Sequence, residues 1–240
     1  MAASRSITQG AGSTRVADPA SRRAGWFVGP EPPRFPGRRS SGTGATRHSA
    51  PLLVRRVNVA AKTALLLMLA FVVANPDYGN LEGKAPVARA VTYPLLAFAL
   101  LAFWWVRART RAPYPWVADL LVTLTCFTDI LGNRLDLYDS IVWFDDWIHF
   151  MNSGLLSTAA LLLTTSPTSS QEAVLERAVA FGVTASLAWE VFEYVSFMTN
   201  SPERPMAYTD TLGDLTLGWL GACVAAFGIH AIWRHGTSTR

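Results

Sequence analysis

The sequence predicts an all-α polytopic membrane protein of about six transmembrane helices, with both termini cytoplasmic. Three observations carry that expectation. Half of the 240 residues are apolar and only 16% are charged, whereas a soluble domain carries about 25% charged residues. The apolar residues gather in six runs, each near the roughly 20 residues that a bilayer core requires. The charge is also segregated: residues 1–56 hold ten arginines against Asp18 and Glu31, so the net +4 divides into +8 here and −4 for the remainder.

Residues 1–51 are rich in Gly, Pro, Ser, Thr and Arg and show neither a helical nor an alternating apolar period. Such a stretch has too little apolar surface to offset the entropy of ordering, so it is expected to be a disordered cytoplasmic tail preceding a membrane domain over 52–240. An Arg-rich tail suits nucleic acid or a transit peptide as well. Beside a membrane domain it reads more simply as a retention signal near anionic lipid, and no nucleic-acid partner is expected. A cleaved signal peptide would place its apolar segment after a short basic region, not after more than fifty residues.

The first apolar run covers Val57 to Ala74, with Asn58 and Lys62 near its start, where a lysine is expected to reach back to the interface. Turn chemistry over Asn75 to Asn80 ends it. The second run, Val87 to Val106, contains Pro94, expected to kink the helix, and ends in the interfacial pair Trp104 and Trp105. After a loop bearing Arg107, Arg109 and Arg111 comes the third run, Trp116 to Leu131, with Asp119 and Asp129 inside it. Asp119 is expected to face that loop. An acidic loop, Gly132 to Phe144, leads to the fourth run, Trp147 to Thr165, which Ser166 and Pro167 break. The fifth run spans Ala178 to Met198 and the sixth Thr211 to Trp233. Cys126 and Cys223 fall inside apolar runs and read as packing residues, not as a disulfide or metal pair.

With six spans, the Arg-rich tail, the Arg107 to Arg111 loop and the end bearing Arg234 and Arg240 share one side, which the positive-inside rule makes cytoplasmic. The acids then gather outward. Trp143, Trp147 and Tyr208 fit an outer aromatic belt, and His230 and His235 the inner interface.

The candidate site follows from helical spacing. Asp145 and His149 are four apart, and Asp146 and His149 three apart. Glu190 and Glu193 are three apart with Ser186 a turn earlier, Asp210 and Asp214 are four apart, and Asp129 follows Thr125 by four. Each set shares one helix face. Glu190 lies about 15 Å below a helix end near residue 200, close to mid-bilayer, at 1.5 Å per residue. An ionised carboxylate there costs at least about 2.5 kcal/mol, which makes a paired or functional role the default.

Three readings suit carboxylates and a histidine on facing helices: ligands of a divalent metal ion, a proton relay, or a structural network that ties helices together. In the metal reading Asp145, His149, Glu190, Glu193 and Asp214 are the ligands, with His149, Glu190 and Glu193 as the catalytic groups and Asp129, Asp146 and Asp210 as further polar members. The corresponding functions are metal-assisted chemistry on an envelope lipid or lipid-linked substrate, a proton-coupled transporter, and a non-catalytic binding or assembly protein. No Gly-rich phosphate loop, nucleophile elbow or HExxH is present, so nucleotide hydrolysis and familiar protease chemistry lack support. Gly218 with Ala222, and Gly221 with Ala225, give spacings that permit close helix contact.

The run from Phe144 through Asp145, His149 and Phe150 to Gly154, the Trp189, Glu190 and Glu193 set, and the run from Tyr208 through Asp210, Thr211 and Asp214 to Gly218 together resemble the YjdF-like family. Those are bacterial inner-membrane proteins of unknown function. More distantly the motifs are similar to the VanZ-like family, whose pattern is Asp-Lys-x-x-His, Glu-x-x-Gln and Asp-x-x-x-Asn. Asp146, Glu193 and Asp214 stand where that pattern has lysine, glutamine and asparagine, so this site is more acidic. The resemblance implies a membrane-embedded polar site in a bacterial plasma membrane.

Overall fold

The computed structural model describes residues 51–75, 80–107, 113–196, 198–201 and 204–238. Among them the regular elements are all helical: α1 (Leu52–Ala74), α2 (Pro86–Arg107), α3 (Trp116–Arg134), the short α4 (Leu137–Ser140), α5 (Phe144–Thr164), α6 (Gln171–Ser196) and α7 (Ala207–Ser238). Two 3-10 turns, Met198–Asn200 and Arg204–Met206, connect α6 to α7. The N-terminal tail, His48, the turn at 76–79, and Arg109 and Arg111 lie outside the described residues.

Helix limits follow local chemistry. α5 opens with Asp145 and Asp146 in its first turn, where carboxylates face the positive end of the peptide dipoles. It stops at Thr165 ahead of Pro167, and Arg177 of α6 donates to the terminal carbonyl of Thr164. α6 begins seven residues before the apolar run does, and the Ser170 hydroxyl accepts from the Ala173 amide at 3.3 Å as its cap. Pro94 lies inside α2, which runs on to Arg107.

Among the described residues four helices are long and apolar enough to cross a membrane: Leu52–Ala74, Pro86–Arg107, Gln171–Ser196 and Arg204–His235. α3 and α5, at 19 and 21 residues, are of comparable length, and each devotes a face to buried polar groups. Large apolar side chains cover the outside, among them Leu67, Leu95 and Val195, each about two-thirds exposed or more. An apolar exterior of that extent calls for lipid or a partner.

Among the described residues the core has three clusters, the smallest being Ala118 and Val122 of α3 against Ala159 of α5. α1, α2 and α3 enclose Leu65, Leu69, Tyr93, Ala97, Cys126 and Ile130. α5, α6 and α7 pack around Leu161, Val174, Ala178, Ala226 and Ile229. Small residues allow the second group to close: a Cβ on Gly221 would lie 2.1 Å from the Phe150 carbonyl oxygen, and one on Gly218 would lie 2.2 Å from Ser186 Oγ. There the backbones of α5 and α7 come nearly into contact.

Two expectations at the start of α1 and α3 are corrected. Lys62 does not reach for the interface; it is buried, with Nζ 3.1 Å from Asp119 Oδ1 and 2.8 Å from Thr123 Oγ1, and it also donates to the Ala97 carbonyl. Asp119 turns inward to meet it and takes a second bond from Asn58 Nδ2 at 2.6 Å, instead of facing the arginine loop. Lys62 lies near the middle of α1, about 15 Å from its start at 1.5 Å per residue. Three polar partners on two neighbouring helices meet it there instead.

Candidate functional site: a buried acid and histidine cluster

His149, on the second turn of α5, is the centre. Its Nε2 lies 3.5 Å from Asp145 Oδ1, one turn earlier on the same helix. Its Nδ1 lies 3.4 Å from Glu190 Oε1 of α6 and 3.8 Å from Asp214 Oδ1 of α7. His149, Glu190 and Asp214 are all buried. Two sets bring potential ligand atoms within 4.8 Å of one another: Asp145, His149 and Asp214, and His149, Glu190 and Glu193. Three helices therefore supply four carboxylates around one imidazole ring.

The geometry leaves this cluster short of positive charge. A neutral imidazole has one N–H, yet both nitrogens of His149 face carboxylate oxygens. Glu190 Oε2 accepts from Thr211 Oγ1 at 3.0 Å, but Oε1 is buried without a hydrogen-bond partner. Leaving such an atom unsatisfied costs about 1–3 kcal/mol, more for a charged group. A proton on the ring or a cation among the oxygens removes that cost.

Two of the remaining acids are exposed and the third is held by its own partners. Asp146, equally well spaced from His149 in sequence, is exposed. Asp210 is exposed at the start of α7, one turn outside Asp214. Asp129 belongs to an adjoining network: Oδ2 accepts from Arg89 Nε at 3.1 Å and from Tyr93 Oη at 2.5 Å, and Oδ1 accepts from Tyr138 Oη at 2.9 Å. Burial, with Asp129 beside it, holds the Tyr138 phenol well above the usual tyrosine range. Arg89 Nη2 also reaches Glu193 Oε1 at 3.7 Å, which joins this network to the cluster.

Arg89, Tyr93 and Tyr138 do not emerge from helix spacing. A signal did exist for Arg89: an arginine just inside an apolar run requires a partner in the membrane.

Below the cluster, Ser153 and Ser186 share a hydrogen bond of 2.7 Å between α5 and α6. A cavity of about 580 Å³ adjoins it, reached by Asp145, His149 and Glu193 at one end and lined with apolar side chains at the other.

Residues 57–235 match the family described as "Predicted membrane protein (DUF2238)". The chain belongs to that family. The DUF2238 match encloses all of α2 to α6 and every member of the cluster. The YjdF-like resemblance fits DUF2238, and the more distant VanZ-like one rests on the three motifs alone. No curated protein and no solved structure matches the chain.

Proposed function

We propose that this DUF2238 protein is a six-span plasma-membrane protein whose outward-facing cluster holds a divalent cation and acts on an ester or phosphate group of an envelope lipid or lipid-linked molecule. The observation that carries this reading is the buried Glu190 Oε1, which has no hydrogen bond and lies 3.4 Å from a histidine whose two nitrogens both face acids. Oxygen and imidazole ligands suit a hard or borderline cation. Asp145, His149, Glu190, Glu193 and Asp214 are the ligand set, from which the cation takes those its geometry allows. It would polarise a substrate oxygen or activate water, and whichever of His149 and Glu193 is left uncoordinated would carry the proton.

Six spans follow from adding α3 and α5 to the four more apolar helices. Each is close to the roughly 20 residues a crossing needs, and each is lined on one side by polar contacts that other helices satisfy. Arginine placement then sets both termini inside.

The test is metal content and affinity of the purified full chain beside Glu190→Gln. The expected result is about one divalent ion per chain, with affinity at least tenfold lower in the variant. At a hundred times its dissociation constant the ion should raise unfolding free energy by about 2.7 kcal/mol. A wild-type chain that gains neither metal nor stability from Mg²⁺, Mn²⁺ or Zn²⁺ would leave an imidazolium network, structural or proton-conducting, in its place.

A further inference from the structure

The cavity beside the cluster has a shape and an exit that its polar end alone does not explain. Along α6 its lining runs from Phe181 to Glu193, which at 1.5 Å per residue is about 18 Å. That is close to half of the roughly 30 Å hydrocarbon core, the depth of one leaflet. The acids Asp129, Asp145 and Glu193 lie with His149 at the end nearer the start of α5, uncharged polar side chains such as Ser153 and Ser186 follow, and Leu156 and Phe181 lie toward the other end.

Its exit faces sideways. Leu95 and Leu96 of α2 and Phe181 of α6 line the cavity yet are 69%, 41% and 43% exposed on the flank of the bundle. α2 packs on α1 and α3, while α6 packs on α5 and α7. α2 and α6 approach each other at the polar end, where Tyr93 stacks on Trp189 at 5.9 Å and Arg89 lies over the same indole. Below that contact the gap between the two helices is bordered by apolar side chains and opens onto the surface that faces lipid.

We infer that this cavity takes one acyl chain of an outer-leaflet glycerophospholipid, which enters laterally between α2 and α6 and brings its ester and phosphate oxygens to the Asp145 and His149 end. Three observations select that occupant. The volume of about 580 Å³ lies in the range of small-molecule sites, roughly 300–1,000 Å³. The depth is that of a single leaflet, which suits a bulk-lipid chain and not a long polyprenyl chain. The lateral mouth lies where lipid, not water, is the solvent. The inference rests on the outward, membrane-embedded placement of the cluster proposed above, but not on a metal being bound.

The test reconstitutes the full chain in vesicles of phosphatidylethanolamine and phosphatidylglycerol carrying a photoactivatable group midway along one acyl chain. Cross-links are mapped by peptide mass spectrometry. The expected result is labelling at Leu96, Leu156 and Phe181 at least fivefold above that at Leu67, a lipid-facing position on α1. Ala185→Trp, which fills the cavity, should reduce the labelling at least fivefold and leave Leu67 unchanged. Should that variant fail to fold, Ala99→Trp at the exposed mouth should give the same loss. Equal labelling at Leu67 and in the cavity, no effect of filling it, or displacement of the probe by a polyprenyl phosphate but not by unlabelled phospholipid would each overturn the assignment. Glu190→Gln serves as the separating control. Cavity labelling that survives beside a wild-type chain without metal refutes only the metal reading, and metal binding without cavity labelling refutes only this one.

Discussion

Lys62→Met tests the buried pair between α1 and α3 most directly. The change keeps the volume of the stem and removes the ammonium, so Asp119 Oδ1, Thr123 Oγ1 and the Ala97 carbonyl each lose a donor together. Asp119 is 1% exposed and retains Asn58 as a partner on its other oxygen. Removing one member of a buried ion pair costs about 3–5 kcal/mol, because the survivor is left charged in a low dielectric. We expect a loss in that range, measured as unfolding free energy in detergent or bicelles. Asp119→Asn added to Lys62→Met keeps an acceptor for Asn58 and removes the stranded charge, so the double variant should regain roughly half of it. The double-mutant cycle should give a coupling toward the upper end of about 0.5–3 kcal/mol. A lysine at the interface behaves in the opposite way: Lys62→Met would be neutral or stabilising in lipid. A coupling below about 0.5 kcal/mol, the level of an exposed pair, would refute the reasoning.

Gly221→Ala should cost about 1–3 kcal/mol by overpacking, since its Cβ meets backbone at Phe150. Gly228→Ala, with nothing within 4 Å, should gain up to about 1 kcal/mol from helix propensity, and thermal unfolding of the two distinguishes contact from propensity. Because burial raises the Tyr138 phenol, the folded chain keeps that proton above about pH 10 whereas the unfolded chain releases it. The resulting stability is complete below pH 10 and declines as pH rises past it, a decline that Tyr138→Phe should lessen in a series of melts from pH 9 to 11. A chain beginning at Pro51 should insert and keep the full-length melting temperature, because residues 1–50 carry no apolar period with which to pack; a clear loss of stability would show that the tail contributes contacts.

The positions of the helices were legible because apolar runs of bilayer length leave few alternatives, although helix ends moved by several residues where caps, not hydropathy, decide them. Spacing along single helices also marked the acids that meet His149. It left Asp145 and Asp146 undivided, since offsets of four and three both suit one face; the rotation of α5 against α6 and α7, set by Gly218 and Gly221, turns one inward and the other outward. What no local pattern carries is the pairing of Lys62 with Asp119, or of Arg89 with Asp129, which are 57 and 40 residues apart. Their partners are chosen by how the helices stand beside one another. Burial cost announces only that some partner exists.

The distance in sequence between Lys62 and Asp119 has a consequence for how the chain is made. At about 5–20 residues per second, the ribosome needs roughly 3 to 11 s to add the 57 residues between them. During that interval α1 has emerged with a lysine whose carboxylate does not yet exist, and a lone charge at the centre of a single helix costs about 2.5–3.5 kcal/mol to insert. The apolar residues of α1 can carry that cost, so the helix enters with its lysine unpaired or drawn toward the surface, and the pair closes only once α3 has arrived.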